Sequence, residues 1–217
     1  MKKILTLFSA IFLVVISNAQ LNKGTIFLGG DLSGSTYKTK DGAYEDSGGR
    51  FGLSAVFAVA VKDNKFFGGS LSYGHYENNQ PTSSSSSDGN SYGASLFYRY
   101  YKPLLNKIFV FVQAGIPVNY TKNEFFQSQN YYYTDKSFSV GLSVTPGISV
   151  AVSKKVFLEA GFNNVASLNY QHSTTTGVNS GNNIDRSSNS FSFSSSIGSF
   201  TYNLYFGFRV FIPKNSG

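Results

Sequence analysis

The chain has 217 residues, enough for one domain with a full core or one closed barrel. Charged residues make up 13% and aromatics 17%, against about 25% charged in ordinary soluble domains, so a water-facing surface would be thinly covered. The absence of Cys excludes disulfides, a thiolate nucleophile and lipid attachment through Cys, and the net charge of +7 is scattered, without the stripe that nucleic-acid binding requires.

The N-terminus reads as an export signal. Lys2 and Lys3 are followed by an apolar run from Ile4 to Ile16, then by small residues at Ser17 and Ala19 before Gln20. The run is short of the ~20 residues that span a bilayer as a helix. The expected organisation is a cleaved signal peptide at 1–19 and one barrel domain at 20–217. Taking Lys2 and Lys3 from the 18 basic residues, against 11 acidic ones, leaves the mature chain at +5.

After the signal, the pattern is alternation with period two, the signature of strands with one oily face. It predicts strands at 25–37, 50–62, 66–76, 91–101, 108–120, 137–152, 156–170 and 200–212. Residues 190–198 extend the last strand or belong to the last loop. Connections alternate in length. The long ones, 38–49, 77–90, 121–136 and 171–189, are polar loops rich in Ser, Asn, Gly and Thr; the short ones are at 62–65, 102–107 and 153–155. Pro117 and Pro146 fall inside strands, where each removes a ladder hydrogen bond, so bulges are expected there.

The two faces decide the solvent. One carries Gly29, Asp31, Ser33, Ser54, Ala58, Ser70, Ser72 and Ser95; the other carries Phe51, Leu53, Phe57, Leu96, Tyr98, Phe206 and Phe208. A soluble lipocalin-like barrel would set many Lys and Glu on its polar face. Small residues instead suit the cramped interior of an eight-stranded barrel, and the large apolar face suits lipid. Tyr98, Tyr100, Phe67 and Phe208 near the short turns, and Tyr37, Tyr73, Tyr92, Tyr120 and Tyr170 near the long loops, resemble two interfacial girdles. The fold expected is therefore all-β: an eight-stranded antiparallel up-and-down transmembrane β-barrel.

The "RYY" at Arg99–Tyr101, "FLEAGF" at 157–162 and the aromatic last strand "YNLYFGFRVFI" resemble the outer-membrane protein β-barrel domain family, the small OmpA/OmpX-like barrels. The resemblance covers nearly all of the mature chain. It implies residence in a bacterial outer membrane, contact with its lipids and lipopolysaccharide, and recognition of a terminal aromatic by barrel-insertion machinery. Here Phe211-Ile212 is followed by "PKNSG", so that signal lies slightly inside the terminus. The termini are expected in the periplasm and the long loops outside the cell.

Four charges carry interior parity: Asp31, Arg99, Glu159 and Arg209. Glu159 and Arg209 lie about equally far from the short-turn end on neighbouring strands, which predicts an ion pair, with Arg99 and Asp31 as further members of a charge network. Its structural role is a plug; its functional alternative is a gate. The run Tyr131, Tyr132 and Tyr133 in the third long loop is a candidate recognition surface for an extracellular ligand or a cluster touching headgroups. Of the two histidines, His75 lies on the lipid-facing register and His172 opens the last loop, so a catalytic triad has little material. Neither metal-ligand spacing nor a phosphate-loop context is present, and no cofactor is expected. The role expected is structural or surface interaction, with a narrow porin-like channel second and a lipid-modifying enzyme third.

Overall fold

The computed structural model describes residues 21–41, 44–80, 85–128, 131–195 and 204–213. The expected signal peptide and the last four residues lie outside them. One antiparallel sheet of ten strands runs in chain order: β1 (Ile26–Asp41), β2 (Tyr44–Lys62), β3 (Lys65–Gln80), β4 (Ser85–Leu105), β5 (Ile108–Ser128), β6 (Tyr131–Ala151), β7 (Val156–Phe162), β8 (Ala166–Asn179), β9 (Asn182–Ser195) and β10 (Leu204–Ile212). Successive strands pair from β1 to β7, β7 pairs β10, and β10 pairs β1 through Ile26↔Ile212 to Leu32↔Phe206. The ladder thus returns to its start and encloses an interior.

Ten strands replace the eight expected, for two reasons. The predicted strand at 156–170 is split by Asn163-Asn164-Val165, with Asn164 in the left-handed region at φ 53°. β6 pairs β7 up to Gly147↔Gly161 and β8 from Val144↔Ala166 onward. Two residues of β6 therefore stand against four of the β7–β8 segment. The excess is even, so side chains keep their faces across the break; an odd excess would turn every residue of β8 inside out. The second addition is β9, which pairs β8 as a hairpin and absorbs most of 190–198.

The long connections are ribbons rather than loops. β1–β2, β3–β4, β5–β6 and β8–β9 keep pairing far past the predicted strand ends, to Asp41↔Tyr44, Gln80↔Ser85, Ser128↔Tyr131 and Asn179↔Asn182. Polar composition does not prevent a strand whose backbone groups are satisfied by its neighbour.

Neither proline makes a bulge. The β5–β6 register is unchanged on both sides of Val112↔Pro146, and pairing merely lapses between Gly115↔Ser143 and Val118↔Val140. Pro117 keeps its place opposite Ser95 on β4. Pro146 lies where its other neighbour is interrupted by the Asn163-Asn164 break, so no ladder partner is missed there. Register shifts occur only near strand ends, at Ala60/Lys62, Pro103/Leu105 and Phe126/Ser128.

The core sits inside the circuit at its short-turn end. Phe27, Phe66, Phe97, Tyr101, Phe109, Phe111, Phe157 and Phe211 are buried there. Most of their rings meet edge-on or tilted, as in Phe157–Phe211 at 4.4 Å and Phe27–Phe66 at 5.1 Å between centroids, while Phe27 and Phe97 stack at 6.4 Å. The outward face is the reverse of a soluble protein's: Leu71, Leu96, Leu142, Phe206 and Phe57 are all more than half exposed.

Candidate functional site

Above the aromatic floor lies a cluster of charges. Asp31 on β1, Arg99 on β4, Glu159 on β7 and Arg209 on β10 all point inward, because their positions share the parity of the small residues beside them. Neighbouring register brings three of them close: Gly207 faces both Asp31 and Glu159, and Arg209 is two residues along. Arg99 arrives from across the interior.

The structure brings all four together. Glu159 stands between two guanidinium groups, with Oε2 2.8 Å from Arg99 Nη1 and 3.0 Å from Arg209 Nη2. Arg209 Nη2 also reaches Asp31 Oδ1, at 2.5 Å. Arg99, Glu159 and Arg209 are 2%, 3% and 0% exposed. Buried charges are tolerable only when their remaining donors and acceptors are met. Here Arg99 Nε and Nη2 donate to Gln113 Oε1, the Tyr101 hydroxyl donates to Glu159 Oε1 at 2.6 Å, and the Ser54 hydroxyl donates to Asp31 Oδ2. Arg209 Nη1 donates to the carbonyls of Gly30 and Phe208, while its buried Nε–H has no hydrogen-bond partner among the described residues. The faces of the guanidinium groups are covered too: Arg99 lies 4.5 Å from the centroid of Phe111, and Arg209 5.7 Å from that of Phe27. Two positive and two negative charges cancel.

Room for this packing comes from glycine. A methyl group on Gly207 would collide with Asp31 and Arg209, and one on Gly29 would collide with Arg209 and the Phe208 carbonyl.

Tyr101, Gln113, Ser54 and the aromatic floor are absent from the sequence reading of the site. Their signal was present, since Tyr101 and Phe97 share parity with Arg99, and Phe109, Phe111 and Gln113 alternate along β5. The preference for small interior residues holds only above this level. There a polar cavity of about 690 Å³ opens toward the ribbons, lined among others by Asp31, Ser33, Ser54, Ser95, Gln113 and Tyr205.

The three tyrosines do not share one face. Tyr131 and Tyr133 lie on β6 with interior parity, and Tyr133 stacks on Phe125 at 4.8 Å; Tyr132 faces out. Tyr37 likewise has interior parity, whereas Tyr73, Tyr92, Tyr120 and Tyr170 face out at the ribbon end. His75 and His172 occupy matching surroundings. Each ring Nδ1 meets the Oδ1 of an asparagine, Asn90 or Asn189, which also accepts from Tyr73 or Tyr170. No group of three or more potential metal ligands occurs among the described residues.

A sheet closed on itself, oily outside and holding charges and a polar cavity above an aromatic floor within, has the architecture of an outer-membrane barrel. Comparison with solved structures shows the same: the outer membrane protein OprG from Pseudomonas aeruginosa superposes with a TM-score of 0.50 at 12% identity, covering 91% of this chain and 100% of that one. The chain therefore has the fold of outer-membrane β-barrel proteins. Neisserial surface protein A is also similar, with a TM-score of 0.42 at 19% identity over 87% of this chain and 99% of that one. No protein-family model and no curated protein matches the sequence.

Proposed function

We propose that the protein is an eight-position transmembrane barrel of a bacterial outer membrane, with a structural or surface-interaction role and a closed interior. The observation that carries this reading is the double seal: a neutral charge cluster resting on a floor of eight buried aromatic rings. The outward apolar face meets lipid, the ribbons stand outside the cell, and both ends of the barrel domain lie on the periplasmic side. Partners on this reading are the membrane's lipids and lipopolysaccharide, the insertion machinery during assembly, and an extracellular ligand met by the ribbons.

The test is single-channel recording of the folded protein in a planar bilayer. A silent membrane containing inserted protein is the expected result. Reproducible conductance steps that change in Glu159→Gln or Arg209→Gln would overturn the closed interior. They would favour a narrow solute channel, for which the polar cavity reaching down to Asp31 and Gln113 is the supporting observation.

A further inference from the structure

The outward face of β4, β5 and β6 changes character in steps along the strands. Ile116 and Leu142 are followed toward the ribbon end by Tyr120 opposite Phe138, with Tyr92 beside Tyr120. One step further, Lys122 lies directly opposite Lys136. Like charges facing each other across a ladder repel. Glu124, two residues along β5, holds Lys122, but both groups are about half exposed, at 45% and 58%, so that pair is weakly held. The neighbours of the two lysines in the same row are Asn90 and Thr174. Asn90 spends its Oδ1 on Tyr73 and His75, which leaves its amide NH₂ as a donor. The row thus presents two ammonium groups, an amide donor and a hydroxyl: a set that suits an anion.

Below this row the wall carries an apolar groove of about 560 Å³. Leu96, Ala114, Ile116, Leu142, Leu168 and Phe193 are among its lining residues. Phe67 on β3 and Phe193 on β9 line the same groove. Six residues separate Ile116 from Lys122, and six separate Leu142 from Lys136. At about 3.4 Å per residue and a tilt of roughly 45°, the lysines stand ~14 Å above the groove in depth. That lies within the ~20 Å of one bilayer leaflet.

We propose that this part of the wall holds one anionic lipid, its phosphate on the Lys122–Lys136 pair and an acyl chain in the groove beneath. The inference rests on the reading that the outward face meets lipid. The occupant is fixed by the combination: a free phosphate would leave the groove empty, and an uncharged lipid would leave the lysines facing each other.

The experiment titrates the folded full chain in detergent with phosphatidylglycerol or with phosphatidylcholine of identical chains, and counts bound lipid by native mass spectrometry. Wild type is expected to retain phosphatidylglycerol on the order of thirtyfold better, the scale of two basic groups at a membrane surface. The double variant Lys122→Gln/Lys136→Gln should lose that preference, and Ala114→Trp, which fills the groove, should weaken retention of both lipids. If the double variant shows no boiled-versus-unboiled gel shift, Lys136→Gln alone carries the comparison. Equal retention of the two lipids by wild type, or a preference that survives removal of the lysines, would overturn the site. Insertion into vesicles is scored in parallel: protein that inserts without preference refutes the site alone, whereas protein that never inserts refutes the membrane reading on which it rests.

Discussion

Glu159 is the residue on which the interior depends most directly. It neutralises two guanidinium groups and accepts from Tyr101, with 3% of its surface exposed. Glu159→Gln keeps the volume and removes the charge, leaving Arg99 and Arg209 with Asp31 as the single carboxylate of the cluster. Loss of one partner from a buried ion pair costs about 3–5 kcal/mol. The midpoint of unfolding in detergent should fall far more than for Asp185→Asn on exposed β9; equal midpoints would show that the cluster contributes nothing. Gly207→Ala tests the same cluster from the backbone side. Its added methyl lands against Asp31 and Arg209, and overpacking of this kind costs roughly 1–3 kcal/mol. Gly34→Ala, where the nearest atom is a backbone oxygen at 3.4 Å, should cost distinctly less by the same denaturation assay.

At the scale of elements, the break between β7 and β8 is a register device. Its excess over β6 is two residues, and Asn163 and Asn164 form its exposed turn. Deleting both should let Val165 follow Phe162 directly and leave β6–β8 pairing as it is. Deleting Asn164 alone should shift parity, turning Leu168 and Tyr170 inward and Ser167 outward. The boiled-versus-unboiled gel shift separates these outcomes: the double deletion should retain it and the single deletion lose it. If both deletions behave alike, register across the break is not what the asparagines maintain. This element also marks where the sequence stopped being legible. Alternation runs through 156–170 without a change of period that would announce a break, and Asn163-Asn164 is the one turn signal there, outweighed by that unbroken alternation. The ribbons were hidden for the opposite reason: Ser, Asn and Gly read as loop, yet their backbone groups pair just as well. By contrast the inward parity of Asp31, Arg99, Glu159 and Arg209 could be counted directly, since a period of two needs no knowledge of turns. The prolines misled because their cost depends on which neighbour each missing N–H would have faced, and that depends on the break opposite Pro146.

At the scale of the molecule, closure is a single long-range event. β10 is the strand that joins the first element to β7, and Arg209 reaches the carbonyl of Gly30 across 179 positions of sequence. Without it, β1 and β7 would each present an unpaired edge, and in hydrocarbon every unmet N–H or C=O costs several kcal/mol. The charge cluster would lose Arg209 at the same time, and Phe211 would leave the aromatic floor, where it touches Phe27, Phe66, Tyr101 and Phe157. Edge pairing, charge balance and apolar packing therefore fail together, which makes assembly all-or-none with respect to the last strand. A chain ending at Ser195 should give no gel shift and no protease-protected fragment when diluted from urea into lipid vesicles, although it retains nine of the ten strands. Supplying residues 196–217 as a separate peptide should restore both signals, because the ladder between β10 and its two neighbours is complete within that segment. Protection of the truncated chain by itself would mean that the sheet closes by another pairing, such as β9 against the upper part of β1, and that β10 is dispensable to the barrel.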